Sequence, residues 1–265
     1  MKFKDLVICS DLDGTLLDEQ NAIPKANLEA IEYFRAHGGK IMLATGRFPG
    51  AVPPAIGDFL PDFPCICHNG CSVYDLSKKE YVEITPLDDG AASVIDEIIS
   101  LFPTVGIEVM NKEGLCVARR NFATDRHAEY EKVETSSADG VKNTPKPWIK
   151  IVVAEDPDMV IAVRKKFLDS PFKEKYNMLQ THKYYYEIFN KTANKGTALK
   201  KICELYGINP KNVIAVGDNE NDITMLDAAG TAVAVANAHS SVKACADIIT
   251  CSNDEGALAD LISRL

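Results

Sequence analysis

Short, wholly apolar runs alternate with longer amphipathic stretches at both ends of the chain. Leu6-Val7-Ile8-Cys9 has no polar break, the pattern of a strand buried on both faces of a parallel sheet. Pro24 stands where a helix can open, Leu28, Ile31 and Phe34 recur at helical spacing, and Gly38-Gly39 stops the run. Ile41-Met42-Leu43-Ala44 then predicts a second buried strand, completing a strand–helix–strand unit. The last quarter repeats the pattern. It predicts a helix over Lys195–Tyr206 closed by Gly207, a strand at Val213–Val216, a helix over Ile223–Ala229 closed by Gly230, and a strand at Ala232–Val235. A further helix–strand–helix run follows. Both ends therefore belong to one α/β architecture.

The middle of the chain has another rhythm. It predicts a helix near Gly90–Phe102, a strand at Trp148–Ala154, a helix at Met159–Leu168 and a polar-aromatic extended stretch at Met178–Phe189. Thr135–Pro147, rich in Ser, Asp, Gly, Asn, Thr and Pro, predicts a surface loop. These features divide the chain into a core domain, 1–85 and 190–265, and an α+β module, 86–189, inserted into it. The insertion is long enough for a hydrophobic core of its own.

Composition narrows the function classes. At 265 residues, 46% hydrophobic and 25% charged, the chain is an ordinary globular one. A net charge of -9 argues against nucleic acid and anionic membrane as partners, since both require a basic surface. Eight cysteines at scattered spacings with no CxxC pair are expected to be reduced, buried thiols. The apolar run after Met1-Lys2-Phe3-Lys4-Asp5 is too short for a signal peptide or membrane span, so the expected location is cytoplasmic.

Ligands of open α/β sheets bind at the C-terminal ends of the strands. Four polar clusters fall at such ends or at a helix start: Asp11/Asp13, Thr45-Gly46-Arg47, Lys195, and Asp218 through Asp222. If the backbone stays extended past the first strand, Asp11 and Asp13 point the same way and Leu12 the other. Two neighbouring carboxylates repel unless a cation joins them, which predicts a hard metal with oxygen ligands, Mg²⁺ before Ca²⁺. A solvent-exposed Asp-Gly turn is the plainer alternative, and a calcium loop would require a glutamate-ended loop that is not there. Thr45-Gly46-Arg47 offers a hydroxyl, an unencumbered N–H and a guanidinium, a phosphate-binding set, though a simple N-capped turn has the same residues. Lys195 would add a point charge at a helix N-terminus, where a solvated lysine is the alternative. First-turn acids explain Asn221 and Asp222 but give no reason for Asp218 at the strand end.

Taken in order, Asp-Leu-Asp-Gly-Thr-Leu, the strand-ending Thr-Gly-Arg, Asn-Lys-Gly-Thr-Ala-Leu and Gly-Asp-Asn-Glu-Asn-Asp closely resemble the haloacid dehalogenase (HAD) superfamily. Within it the chain is similar to the Cof-type sugar-phosphatase branch (subfamily IIB). Ile66-Cys67-His68-Asn69-Gly70 and Ala232-Val233-Ala234-Val235-Ala236-Asn237-Ala238 share that likeness. The resemblance implies a Rossmann-like core with a central parallel sheet, the insertion being an α/β cap of the C2B type. It further implies a Mg²⁺-dependent phosphatase acting on small phosphorylated metabolites, with Asp11 as nucleophile forming an aspartyl-phosphate. Asp13 becomes the general acid and then the base, and Thr45, Gly46, Lys195 and Asn221 hold the phosphoryl group. The Leu12 N–H reaches the phosphate and the Leu12 carbonyl the metal, whose ligands come from Asp11, Asp13, Asp218 and Asp222. Asp222 either touches the metal or orients Lys195 or a metal-bound water. Arg47 and Asn69 are candidate substrate contacts. Specificity is expected in the cap, where His182, Lys183, Tyr184, Tyr186 and Glu187 are candidates, with strand packing an equal explanation for each tyrosine. Three alternatives stand beside a phosphatase: a phosphomutase, a receiver-type signalling module and a sugar-phosphate-binding regulator. The chain's length and Asp13 disfavour the receiver, and Asp11 with Asp13 disfavours the regulator. Oligomeric state is not legible.

Overall fold

The computed structural model describes residues 1–131 and 134–265. The chain opens with β1 (Val7–Ser10), α1 (Lys25–Ala36) and β2 (Lys40–Leu43), then the short α2 (Pro53–Ile56) and a small sheet, β3 (Cys65–Cys67), β4 (Ser72–Asp75) and β5 (Glu80–Ile84). The inserted stretch follows with α3 (Ala91–Leu101), β6 (Gly106–Asn111), β7 (Gly114–Arg119), α4 (Phe122–Glu131), β8 (Thr135–Ser137), β9 (Lys150–Ala154), α5 (Pro157–Phe167), β10 (Tyr176–His182) and β11 (Tyr185–Asn190). The chain then returns through α6 (Lys195–Tyr206), β12 (Val213–Gly217), α7 (Ile223–Ala228), β13 (Thr231–Ala234), α8 (Ser240–Cys245), β14 (Ile248–Ile249) and α9 (Ala257–Arg264).

These elements form two compact units. The first comprises Met1–Arg47, Val52–Glu83 and Asn194–Leu265; the second comprises Ile84–Ala193 together with Phe48–Ala51. In the first, β14-β13-β12-β1-β2 make a five-stranded parallel sheet. β1 is its pivot: β2 lies on one side and β12 on the other, so the strand order reverses there, the usual place for a ligand crevice. All four residues of β1 and all five of β12 are buried, which is why each is an apolar run up to its last residue, Ser10 in β1 and Gly217 in β12. α6 is stopped at both ends by its own sequence. Asn194 and Thr197 form a reciprocal capping box, and Gly207 ends the helix at φ 66°, a left-handed conformation that favours glycine.

In the second unit, β10-β11-β9-β6-β7-β8 form one sheet, antiparallel except for the β7–β8 pair. One face packs α3 and α5 through Val94, Ile95, Ile98, Val160, Val163 and Phe167. Trp148 and Ile149 precede β9 rather than opening it. The extended stretch ending the insertion is a hairpin, its two strands separated by a turn at Lys183-Tyr184. The expected loop from Thr135 to Pro147 contains β8, an edge strand whose Thr-Ser-Ser carries no apolar signal and is held by pairing to Leu115–Val117. Among the described residues all eight cysteines are unbridged, and six of them are buried. No described helix is long and apolar enough to cross a membrane.

Candidate active site

The first unit gathers polar residues where β1, β2 and β12 end. β1 runs straight into Asp11, whose N–H donates to the Val216 carbonyl at 2.9 Å, extending the β1–β12 pairing by one step. Asp11 is thereby set at the end of the central strand and is only 5% exposed. Lys195, the first residue of α6, is fully buried and its ammonium lies 2.5 Å from Asp11 Oδ1 and 2.6 Å from Asp222 Oδ1. The other Asp222 oxygen accepts the N–H groups of Asp218 and Asn219 at 3.0 and 3.1 Å. Asp222 is therefore fully engaged, one oxygen on the lysine and one on the turn after β12. Gly196 lets α6 come this close: a Cβ there would sit 2.0 Å from the Thr224 carbonyl oxygen.

Asp218 follows β12 directly. Its Oδ1 accepts from the Thr15 hydroxyl at 2.9 Å, and its carbonyl accepts from the His239 N–H at 2.8 Å. Gly14 packs against the same carboxylate at φ 78°, where a Cβ would lie 2.8 Å from Asp218 Oδ2. The Gly14 carbonyl accepts from the Asn237 side-chain amide, whose oxygen Oδ1 accepts the Asn253 N–H. Asp11, Asp218 and Asp222 each offer an oxygen, and the three atoms lie within 4.8 Å of one another.

Three mutually close carboxylates around one lysine have consequences for ionisation. Burial pushes Asp11 well above the usual carboxylate range; Lys195 opposes this, and Asp222, Asp218 and Asp13 add to it. Asp218 is raised as well, by burial and by Asp222, with Thr15 and Lys195 pulling back. Burial alone would lower Lys195, but Asp11 and Asp222 more than reverse that and keep it charged. The donor set is all oxygen and carries more negative charge than Lys195 cancels, so it fits a hard divalent cation.

Asp13 departs from the expected geometry. The chain turns at Leu12, whose carbonyl accepts the N–H groups of Thr15, Leu16 and Leu17 at 3.2, 3.0 and 2.9 Å. That carbonyl is used up closing the turn, which corrects the expectation that it faces the metal. Asp13 is consequently carried away from the three-carboxylate group. Its carboxylate is clamped by Arg47, with Nη2–Oδ1 at 2.6 Å and Nε–Oδ2 at 2.9 Å, and its side chain is 45% exposed. The alternation rule presumed an extended backbone that the turn removes.

A second wall comes from β2 and the segment after β3. The Ala44 N–H donates to the Ser10 carbonyl at 2.9 Å, placing Thr45 beside the end of β1. Thr45 is buried and its hydroxyl accepts the Arg47 N–H at 3.1 Å. Asn69 has φ 57° and donates its N–H to the Thr45 carbonyl at 3.1 Å, while its side-chain oxygen accepts from Asn221 at 2.9 Å. A Cβ on Gly46 would come within 3.0 Å of that Asn69 oxygen, so Thr45, Gly46, Arg47, Asn69 and Asn221 form one contiguous group. Thr15, Asn237 and His239 join the site through contacts that no spacing argument indicates. Thr15 and Asn237 do fall inside two of the runs that carry the family resemblance, which is the one signal available for them.

A Rossmann-like α/β sheet with an inserted α+β unit, and an acid-lysine cluster at its switch point, defines a hydrolase fold of the haloacid dehalogenase class. Comparison with known proteins makes this specific: residues 8–262 match the family model for haloacid dehalogenase-like hydrolases, and the chain belongs to that family. It is 30% identical over 276 residues to the pyridoxal phosphate phosphatase YbhA of Escherichia coli, covering 97% of each chain. It is 27% identical to the 5-amino-6-(5-phospho-D-ribitylamino)uracil phosphatase YwtE of Bacillus subtilis, again covering 97% of each. A solved haloacid dehalogenase-like hydrolase from Bacteroides thetaiotaomicron superposes with a TM-score of 0.84 at 26% identity, covering 98% of both chains.

Proposed function

We propose that the protein is a Mg²⁺-dependent phosphatase that hydrolyses small phosphorylated metabolites through an aspartyl-phosphate on Asp11. The observation that carries this is the buried Lys195, paired at once to Asp11 and Asp222 beside Asp218. A lysine and an oxygen-only acidic group at one strand end suit a dianionic ester and a hard cation together. Asp11 and Asp218 would hold the metal directly, with Asp222 supporting through Lys195 and the turn. When bound, Mg²⁺ supplies charge neutralisation to the phosphoryl oxygens.

In this reading an Asp11 oxygen attacks phosphorus, the bond to the alcohol oxygen breaks, and Asp13 gives that oxygen a proton. Water then attacks the same phosphorus, Asp13 takes its proton, and the bond to Asp11 breaks to release phosphate. Thr45, Gly46 and Asn221, with the Leu12 N–H, would steady the equatorial oxygens, and Lys195 their charge. Arg47 and Asn69 border the ester; the guanidinium fork on Asp13 has to yield that carboxylate to the leaving group. Relatives named for pyridoxal phosphate and a phosphoribityl compound support a small-metabolite substrate. The inserted unit, residues 86–189 in outline, is the proposed seat of specificity.

Release of p-nitrophenol from p-nitrophenyl phosphate, with Mg²⁺ and with EDTA, tests the proposal. Turnover that requires Mg²⁺ and disappears in Asp11→Asn is expected. A wild-type protein without metal-dependent turnover, or an Asp11→Asn variant as active as it, would overturn it.

A further inference from the structure

The six-stranded sheet of the inserted unit ends in an open edge. β10 is its outermost strand, and its seven residues exceed the five or fewer of every other described strand at a sheet end. From Tyr176 to His182 it contains no proline, lysine, arginine, aspartate or glutamate, the residues that usually guard an edge. β11 pairs with it on one side, with a single register shift between Gln180 and His182. On the other side, no backbone group of a described loop or turn bonds to residues 177–182.

The surroundings of this edge are apolar and basic. α5 lies on the sheet face where Met178 packs, and its Arg164 Nη1 reaches Gln180 Oε1 at 3.4 Å. Three residues before Arg164 and four after it, on the same flank of the helix, Ile161 and Leu168 are 53% and 54% exposed. Six basic and two acidic residues lie between Val160 and Lys183, in a chain whose net charge is -9. Among the described residues, only Lys173 of these six cations has a carboxylate within ion-pair reach, Asp169 at 3.5 Å. None of these residues enters the phosphatase scheme.

We propose that β10 is a docking edge for an extended, acidic segment of another protein. The segment adds a strand beside β10, lays apolar side chains on Ile161 and Leu168, and turns carboxylates to the surrounding cations. Strand addition answers the outward N–H and C=O groups of the edge. The basic border selects the partner. A second copy, joined edge to edge about a two-fold axis, would set these cations against themselves, so the lysines that attract an acidic strand also oppose self-pairing. A phosphate-rich surface, lipid or nucleic acid, meets the cations through acceptors and offers no matching row of N–H donors to the β10 carbonyls.

Fluorescence anisotropy with a labelled nonapeptide of alternating valine and glutamate tests this on the full chain. Saturable binding is expected, weakened tenfold or more by Ile161→Ser with Leu168→Ser, and likewise by Lys165→Glu with Lys175→Glu. The charge-reversed protein should instead take up a peptide of alternating valine and lysine. The acidic peptide N-methylated at every residue keeps its charges but cannot form a ladder, and its binding should be lost. The unmodified peptide should also slow amide exchange within residues 176–182, read by mass spectrometry, a response that charge attraction alone would not give. Absence of saturable binding, equal affinity for the N-methylated peptide, or unchanged exchange in β10 overturns the proposal. Binding to phosphatidylserine vesicles with none to the peptide overturns it too. The four substituted side chains are exposed, and circular dichroism checks that the variants fold. Should either fail, the N-methylated peptide and the exchange measurement on the unaltered chain decide.

Discussion

Replacing Lys195 by methionine keeps the length of the side chain and removes its charge. The native ammonium is fully buried, 2.5 Å from one carboxylate and 2.6 Å from another. At an effective dielectric constant near 20, each contact is worth roughly 6 kcal/mol of attraction before the cost of taking both charges out of water. The net penalty for deleting one partner of a buried pair is about 3–5 kcal/mol, because the carboxylates stay behind uncompensated. That penalty should depend on pH. Burial already holds Asp11 high, and Lys195 is the main influence pulling it down, so the variant relieves its repulsion by taking up a proton. Urea unfolding in EDTA, at about pH 7.5 and about pH 5, should therefore show a loss of about 3–5 kcal/mol at the higher pH and a clearly smaller one at the lower. Metal-dependent turnover should fall by at least about a hundredfold. A stability loss under about 1 kcal/mol, or one equal at both pH values, would refute the reasoning.

Three further outcomes follow from the same geometry. Asp11 and Asp218 sit above their ordinary range in the fold, so between that range and their native values the native state holds more protons than the unfolded chain. Their contribution to stability is thus present at low pH and lost as pH rises, and in EDTA unfolding free energy should decline from acid toward neutral pH, a slope that Mg²⁺ flattens. Gly14→Ala places a Cβ at φ 78° and 2.8 Å from Asp218 Oδ2; a loss of about 1–2 kcal/mol and a weaker Mg²⁺-induced rise in Tm are expected by scanning calorimetry. Asp13→Asn breaks only a half-exposed pair with Arg47, so stability should change by less than about 1 kcal/mol while turnover drops about a hundredfold or more in a steady-state assay.

How much the sequence disclosed depended on whether the controlling forces were local. α6 was legible because Asn194 and Gly207 bound it within the chain itself. β1 and β12 were legible because burial on both faces leaves runs of apolar residues, Val7–Cys9 and Val213–Val216. β6 and β7 were missed, since Glu108 and Cys116 interrupt any clean alternation and their pairing is with distant strands. β8 carried no signal, being stabilised wholly by its neighbour. At the site, the four motif clusters were visible and the fold brings them to one region. Direction is what alternation alone cannot supply: Asp11 and Asp13 share an orientation only on an extended backbone, and the turn closed by the Leu12 carbonyl sends Asp13 to Arg47 instead. Similarly, Phe48–Ala51 packs with the inserted unit through Phe48 and Ala51 against the β9–β11 face, a tertiary preference absent from local composition.

The central position of β1 also bears on synthesis. β2 emerges from the ribosome soon after it, but β12, its other neighbour, lies about 170 residues beyond β2. At roughly 5–20 residues per second that interval lasts about 10–35 s, during which Val7–Ser10 can present an unpaired edge of backbone N–H and C=O groups flanked by mostly apolar side chains. For that time the nascent sheet is open along the line where Asp11 will later meet Val216, and a chaperone or transient chain contacts must cover it. The strand that leads into Asp11 is thus among the earliest made, yet its second side is closed only when the last quarter of the chain arrives.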